Sequence, residues 1–300
     1  MKLSNRKCLN EFSLLAVALF WGLGFVAVRV CIDSGMSSPQ IVFLRFFIGA
    51  AVFYPLFHKR LKGFTRLDIK YGVTAGFFLY LGFVTQTIGN SLTTPSNNAF
   101  LTATNVLFVP FITWAIFKNK PQSKLFFCAA LCLVGMFILT FDFKAGFAFN
   151  LGDLLTIACA VVFAAHFSYL SFACTRCDNI KLTFLQLVTS AAFSLVTLLI
   201  LTPKSIITAD YSKGIFAILF LGIVNTAFSY YIQTHAQKKL SSTKTSIILC
   251  MESLFGCLFS VLLGYDKPTV NMFLGGIIVI AAVILLEVDL PFWKKKGTPS

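Results

Sequence analysis

Residues 14–31 read LLAVALFWGLGFVAVRVC, a run of eighteen residues with one charged side chain, Arg29. A helix needs about 20 predominantly apolar residues to cross the hydrocarbon layer of a membrane. Strands do not explain this run, because lipid does not tolerate an open sheet edge and the strands of a membrane barrel are shorter. Nine further apolar runs follow, at residues 40–57, 71–89, 97–117, 125–141, 154–172, 182–201, 214–234, 245–264 and 271–289. The sequence therefore predicts an all-α integral membrane protein with ten transmembrane helices.

The composition of the whole chain agrees with this prediction. Of its 300 residues, 57% are hydrophobic and 12% are charged, whereas a soluble domain carries about 25% charged residues. The net charge of +14 does not indicate a nucleic-acid partner, because the basic residues lie in the short gaps between apolar runs. The expected partners are membrane lipid and a small-molecule solute, with no nucleic acid.

Nine cysteines are scattered along the chain, and most of them lie inside apolar runs. Such cysteines behave as small hydrophobic residues, and their number and placement do not indicate a set of disulfides. Cys174 and Cys177 have the spacing of a metal or redox pair but lack the second pair that a zinc site needs. We therefore predict neither a metal nor another cofactor.

Lysine and arginine predict the orientation of the chain. The basic residues Lys2, Arg6 and Lys7 precede the first apolar run, which is too long for a cleaved signal peptide and is predicted to remain as the first helix. If the helices alternate in direction, 19 basic residues lie on the side of the N-terminus and 4 on the other. Since cytoplasmic loops are enriched in Lys and Arg, we expect a multi-pass protein of the cytoplasmic membrane with both termini in the cytoplasm.

The two halves of the chain resemble each other. An offset of 147 residues pairs Asn105 with Glu252 and lays the fifth apolar run on the tenth. A slightly smaller offset pairs Arg45 with Gln186. We therefore predict two repeats, at residues 1–146 and 147–300. Each contains five helices, so the second repeat enters the membrane in the opposite direction, as in carriers that work by alternating access.

Four stretches of the sequence form a recognisable set. They are FWGLGF at residues 20–25, Pro39 followed by Arg45, AFLT at residues 99–102 continuing to FVP at residues 108–110, and MESLF at residues 251–255. Together they resemble the drug/metabolite transporter superfamily, and within it the bacterial ten-helix EamA-type family. The resemblance covers nearly the whole chain. It implies a secondary transporter, often an exporter of amino acids or other metabolites, with a central cavity between its halves.

Two ionisable residues lie within predicted membrane helices. Glu252, in the ninth run, costs free energy near the bilayer centre unless it is hydrated, protonated or paired, so it is a candidate for binding substrate or a proton. His166, in the sixth run, lies at a compatible depth and has an ordinary pKa near neutrality. The two side chains could form a pair. The alternative for each is a structural hydrogen bond to a neighbouring helix.

Other polar residues recur at helical spacing and predict a polar path or contacts between helices. The fourth run carries Asn98, Thr102 and Asn105. The complete set of predicted substrate-binding residues is Glu252, Asn105, His166, Asn225, Gln86, Tyr80, Trp21, Thr102, Ser229, Gln233 and Arg45. For Arg45, as for Arg29, two interpretations remain open: attraction of an anionic group, or a long side chain that extends to the membrane surface.

No phosphate-binding loop or zinc-protease motif occurs in the sequence. Energy for transport would therefore come from an ion or solute gradient, and we predict that the chain is not an enzyme. Three other functions remain open: an intramembrane enzyme acting on lipid or headgroup through His166 and Glu252, a passive channel, and a scaffold or sensor without flux. The leading prediction is a secondary transporter, coupled to protons through Glu252.

Overall fold

The computed structural model describes residues 2–93, 95–118, 122–140, 150–265 and 267–288, and within these ranges the chain forms helices and short connections without any strand. The helices, in chain order, are α1 (Lys2–Asp33), α2 (Ser38–Phe57), α3 (Arg66–Leu92), α4 (Pro95–Ala103), α5 (Asn105–Phe117), α6 (Ser123–Thr140), α7 (Leu151–Ala173), α8 (Asn179–Leu201), α9 (Ser205–Thr208), α10 (Tyr211–Phe220), a π-helical segment (Leu221–Phe228), α11 (Ser229–Gln237), α12 (Ser242–Leu249), α13 (Met251–Leu262) and α14 (Val270–Glu287).

These helices make ten spans. Within the described ranges, nine spans are long and apolar enough to cross a membrane, and the apolar part of the fifth, Ser123–Leu139, is somewhat shorter. The fourth span consists of α4 and α5, the eighth of α10, the π segment and α11, and the ninth of α12 and α13. Each span overlaps one predicted apolar run, so the predicted fold class is confirmed. The predicted helix ends at residues 141 and 289 and the repeat boundary at 146/147 lie outside the described residues.

Side-chain caps define where several spans begin. Ser37 precedes α2 and forms a capping box with Gln40, in which each side chain bonds the backbone amide of the other residue. Thr65 and Asp68 form the same arrangement before α3. Such boxes satisfy amides that the first turn of a helix leaves without partners. The polar residues between the apolar runs therefore act as helix start signals.

Three spans are not the continuous helices that the sequence predicted. The fourth is interrupted at Thr104, whose amide donates to the Leu101 carbonyl three residues back, at 3.2 Å. The ninth is interrupted at Cys250, and the eighth contains the π segment. Proline commonly kinks helices, but Pro110 lies inside α5, six residues beyond the actual break.

Contacts between connections show that successive spans alternate in direction. We name the end of the bundle at which α1 begins the N-side, and the other end the opposite side. On the opposite side, the Asp210 amide donates to the Ser34 carbonyl at 2.8 Å, and Thr93 bonds Asp153 at 2.7 Å. Asp153 is in the first turn of α7, so the second half starts on the opposite side whereas the first half starts on the N-side. The repeats are inverted, as predicted.

The packing of the spans follows the same symmetry. The third span packs against the sixth, and the first packs against the eighth, which is the same contact with the two halves exchanged. The first span also packs against the ninth, and the sixth against the fourth. The fifth and tenth form a pair, in which a Cβ on Gly275 would lie 2.4 Å from the Gly135 carbonyl oxygen. Small residues allow such close approach between membrane helices.

Polar contacts join the two halves at the N-side. The Lys244 ammonium lies 2.6 Å from a Glu11 carboxylate oxygen and 2.8 Å from one of Glu287, which links the ends of the first, ninth and tenth spans. At the same end, the Thr113 hydroxyl lies 2.9 Å from that of Ser168 and 2.8 Å from that of Ser242. Buried apolar residues of α1, α11 and α12 from this end of the bundle pack together in one core cluster. The N-side of the bundle is therefore closed.

Candidate functional site

A cavity lies between the two halves, near the middle of the bundle. Its empty volume is about 560 Å³, counted with the open space at its mouth. Its lining residues are Trp21, Gly24, Phe25, Val28, Arg45, Phe83, Gln86, Thr87, Asn90, Thr102, Asn105, Phe163, Phe167, Asn225, Tyr230 and Glu252. The set includes seven of the eleven predicted substrate-binding residues: Trp21, Arg45, Gln86, Thr102, Asn105, Asn225 and Glu252.

The cavity lies nearer the opposite side than the N-side. Asn90, in its lining, is two residues from the end of α3 on the opposite side. Towards the N-side the lining ends at Phe167, six residues before the end of α7. Six helical residues span about 9 Å. The closed layers at the N-side therefore separate the cavity from that end of the bundle.

Glu252 and Asn105 form one wall of the cavity. Asn105 is the first residue of α5 and Glu252 the second residue of α13, so each lies within two residues of the interruption of its span. Glu252 is 7% exposed and Asn105 5%. Among the described residues, the Asn105 side-chain oxygen accepts no hydrogen bond and the Glu252 carboxylate has no paired cation. The wall therefore offers oxygen acceptors to whatever enters the cavity.

Arg45 lies on another wall of the cavity and is 3% exposed. Its Nε donates to the Thr226 hydroxyl at 3.0 Å, and its Nη2 donates to the side-chain oxygen of Asn225. Its guanidinium carbon lies 4.1 Å from the centre of the Phe83 ring, which is cation–π geometry. The side chain thus points into the bundle and does not extend to the membrane surface. Arg29 differs, since it is partly exposed and pairs with Asp33 at 3.0 Å.

The π-helical segment positions Asn225. A π segment adds a residue to a helical turn, so it rotates the side chains that follow it and frees backbone carbonyls. The Asn225 carbonyl accepts a bond from the Trp21 indole at 2.9 Å, and the Asn225 side-chain amide donates to the Phe20 carbonyl at 2.7 Å. Asn225 therefore joins the first span to the eighth and also anchors Arg45.

Polar and aromatic groups complete the lining. The Gln86 amide donates to the Thr102 hydroxyl at 3.2 Å, which joins the third span to the fourth. Asn90 is buried and its side-chain oxygen has no partner among the described residues. Tyr230 is 1% exposed and its ring centre lies 5.3 Å from that of Trp21. The cavity therefore combines apolar ring faces with a few polar groups, as small-molecule sites do.

His166 does not lie in this cavity. It is fully buried in α7, and its Nε2 lies 3.1 Å from the Gln186 side-chain oxygen. Gln186 also donates to the Thr234 hydroxyl at 3.3 Å. The pair of His166 and Glu252 that the sequence allowed is not formed among the described residues.

The remaining predicted residues also lie outside the cavity. The Ser229 hydroxyl donates to the Val224 carbonyl of its own span at 2.8 Å. The Tyr80 hydroxyl lies 2.5 Å from that of Thr197, in a partly exposed contact between α3 and α8. Gln233 is fully buried near the N-side, and neither atom of its side-chain amide has a partner among the described residues.

The predicted polar stripe of the fourth span serves two purposes. Asn98 is fully buried, and its amide donates to the Gln86 carbonyl at 3.1 Å and to the Thr156 hydroxyl at 2.8 Å. This residue therefore holds helices together. Thr102 and Asn105 line the cavity instead.

Aromatic residues were the main omission of the sequence analysis. Phe25, Phe83, Phe163 and Phe167 line the cavity, but the chain contains 35 phenylalanines, and neither spacing nor composition separates these four from those that face lipid. Asn90, near the end of α3, was also missed. A polar side chain directly after the apolar run 71–89 was the signal in the sequence that could have identified it.

Cys174 and Cys177 lie just beyond the end of α7. Burial raises the pKa of the Cys174 thiol to about 11 and that of the Cys177 thiol to about 12. Metal binding and thiol exchange both require the thiolate. Their thiols bond the carbonyls of Ser171 and Ala173, at 3.5 and 3.3 Å. These contacts favour a structural role at the helix end.

Comparisons with known proteins agree with this architecture. The model of the EamA-like transporter family matches residues 10–141 and again residues 150–288. The relatives include an uncharacterized transporter of Archaeoglobus fulgidus, 30% identical over 282 residues that cover 92% of this chain and 85% of the relative. The uncharacterized transporter YoaV of Bacillus subtilis is 24% identical over 286 residues, which cover 91% of this chain and 94% of YoaV.

A crystal structure shares the fold, with a TM-score of 0.76 and 17% identity, and the match covers 94% of this chain and 96% of that one. The fold and the relatives together define a multi-pass membrane transporter. The chain belongs to the EamA-like transporter family, within the drug/metabolite transporter superfamily. This confirms the resemblance found in the sequence.

Proposed function

We propose that this chain is a secondary transporter that moves a small organic metabolite, such as an amino acid, across the cytoplasmic membrane by alternating access. One observation carries the proposal. Asn105 and Glu252, mates in the repeat, both follow an interrupted helix and both line the cavity between the halves. In many carriers the substrate site is formed by discontinuous helices at the repeat interface, near the bilayer midplane.

The proposed orientation places both termini in the cytoplasm, from the distribution of basic residues. In that orientation the N-side is cytoplasmic, and the cavity lies towards the outside. The hydroxyls of Thr113, Ser168 and Ser242 and the ion pairs of Lys244 would be the closed inner gate. A cavity that is closed at one end favours a carrier over a passive channel.

A second set of buried polar residues supports the idea that the inner half opens. Gln186, the repeat mate of Arg45, lies 3.1 Å from His166, and Gln233 and Gln237 lie in the last turns of the eighth span at the N-side; all four are buried. His166 Nδ1, both Gln233 amide atoms and the Gln237 oxygen have no partner among the described residues. Unpartnered buried polar atoms destabilise a fold. In the alternate state these groups would line an inward-facing cavity and meet water or substrate.

Glu252 is the proposed site of proton coupling. Its carboxylate faces the cavity without a cation among the described residues, so its protonation changes the charge of the site at the position where substrate binds. The cycle would bind substrate to one protonation state of Glu252 and release it from the other.

Uptake into proteoliposomes tests the proposal. Labelled amino acids, nucleosides and vitamins are offered to wild type, Glu252→Gln and Glu252→Ala, with and without a pH gradient. The matched control is Asp33→Asn, which also removes one carboxylate but lies in an exposed pair with Arg29. We expect saturable uptake of one solute class, accelerated by the gradient in wild type and in the control. Uptake by Glu252→Gln that equals wild type at every pH would contradict the coupling.

A further inference from the structure

Arg45 is a buried cation without a buried anion beside it. No carboxylate among the described residues lies within ion-pair distance of its guanidinium, whose polar contacts are the neutral side chains of Asn225 and Thr226. An intramembrane charge is costly unless it is paired or meets water or a ligand. Asp33, Asp68, Asp153 and Asp210 lie at the ends of the bundle. The Glu252 carboxylate lines another wall of the same cavity and makes no ion pair with Arg45. The guanidinium in the cavity wall therefore has no anion in contact with it.

The guanidinium is also held in one orientation. Phe83 covers one of its faces at 4.1 Å, while Thr226 and Asn225 bond the edge formed by Nε and Nη2. A guanidinium carries five N–H donors in a fixed plane, so three of them bond no described residue. These three belong to Nη1 and Nη2, the edge that binds two oxygens of a carboxylate or phosphate side by side.

From this geometry we propose that the transported solute carries an anionic oxygen group, a carboxylate or a phosphate ester, which docks on the free Nη1–Nη2 edge of Arg45. The inference rests on the proposed function, because it assigns the charge of the solute in that same cavity. The acceptor oxygens of Glu252 and Asn105, on the wall formed by α5 and α13, would take hydrogen-bond donors elsewhere on the solute. Arginine suits such a site better than lysine, since its donors are planar and preset.

Binding to purified protein in detergent tests this inference without transport. The midpoint of thermal unfolding is titrated with matched probes: benzoate against benzamide, N-acetyl-L-leucine against N-acetyl-L-leucinamide, and phenyl phosphate against phenol. A ligand that binds only the folded protein raises the midpoint according to its affinity. The comparison of benzoate with phenyl phosphate distinguishes a carboxylate from a phosphate as the preferred group.

The variants are Arg45→Gln, Arg45→Lys and, as the matched control, Arg29→Gln, which loses the same charge from a partly exposed pair. We expect wild type and Arg29→Gln to bind an anionic probe at least about tenfold more tightly than its neutral counterpart, the size expected for charge-assisted bonds. Arg45→Gln should lose this preference, and Arg45→Lys should keep part of it.

A second variant covers the case in which Arg45→Gln does not fold. Asn225→Asp keeps Arg45 but places a carboxylate beside its guanidinium. In this variant too, the preference for the anionic probe should fall at least about tenfold. An anion preference that is unchanged in Arg45→Gln or in Asn225→Asp would overturn the inference, as would wild type that prefers no anionic probe. Loss of transport in proteoliposomes with the preference intact would instead count against the proposed function alone.

Discussion

Asn105 and Glu252 stand 147 residues apart and occupy corresponding places in the two inverted halves, each at the start of the helix that follows a break in its span. Both side chains line the same cavity, and neither has a partner for its acceptor oxygens among the described residues. The two halves thus contribute a neutral amide and an ionisable carboxyl to one wall. Because only one of these two mates can ionise, the charge of the site depends on pH in the proposed cycle.

The close approach of α1 to the π segment should be sensitive to a single methyl group. A Cβ on Gly24 would lie 2.3 Å from the Asn225 side-chain nitrogen. We expect Gly24→Ala to displace Asn225, break its bond to Phe20 and release Arg45, with a loss of stability of about 1–3 kcal/mol. Thermal unfolding and anion binding would both be measured.

Gly256→Ala is the matched control, because its nearest neighbour to an added Cβ is a Phe25 ring carbon at 3.5 Å, an ordinary contact. That variant should remain near wild type in both measurements. If the two variants behave alike, Asn225 tolerates displacement and is not needed to hold Arg45 in place.

Asn225 should also contribute to stability independently of any solute. Asn225→Ala removes the acceptor for Arg45 and the donor to the Phe20 carbonyl. Because a buried charged donor then loses a partner, we expect a loss of about 2–3 kcal/mol in the free energy of unfolding. Ser229→Ala, which removes only a local bond to the Val224 carbonyl, should cost about 1 kcal/mol or less. Unfolding in denaturant with the two variants side by side would show whether they differ.

The ion pairs of Lys244 should hold the N-side closed. Lys244→Gln breaks the contacts with Glu11 and Glu287, and since each partly exposed pair contributes about 1 kcal/mol or less, the open state should gain population several-fold. The reporter is Gln237→Cys, at a buried position near the N-side, and the measurement is its labelling rate with a membrane-impermeant maleimide from that side.

Lys213→Gln provides the comparison, since its pair with Asp210 lies on the opposite side and is exposed. It should leave the labelling rate unchanged. If Gln237→Cys is labelled no faster with Lys244→Gln than with Lys213→Gln, the ion pairs of Lys244 do not restrain the inner gate.

The sequence predicted the spans because their signal is length and composition, which need no knowledge of neighbours. It did not predict the breaks at Thr104 and Cys250, since neither position carries a glycine or proline. Pro110 was the visible signal and lies six residues beyond the break in that span.

The site was predicted only in part, because depth in the membrane follows from sequence whereas rotation about the helix axis depends on packing. Phe163 and Phe167 face the cavity, yet His166, between them in the chain, faces Gln186 of α8. Tyr80 likewise lies at a plausible depth but turns towards Thr197. Arg45 faces the cavity because Asn225 and Thr226, 180 and 181 residues further along the chain, bond it there.

Solute counterflow tests the central claim most directly. Proteoliposomes containing wild type are loaded with an excess of the unlabelled solute that gave uptake, and a trace of labelled solute is added outside. A carrier that exposes one site alternately to each side predicts transient accumulation of label above its equilibrium level, reduced in Glu252→Ala. Label that only equilibrates, at a rate that does not saturate with concentration, would contradict alternating access and indicate a channel.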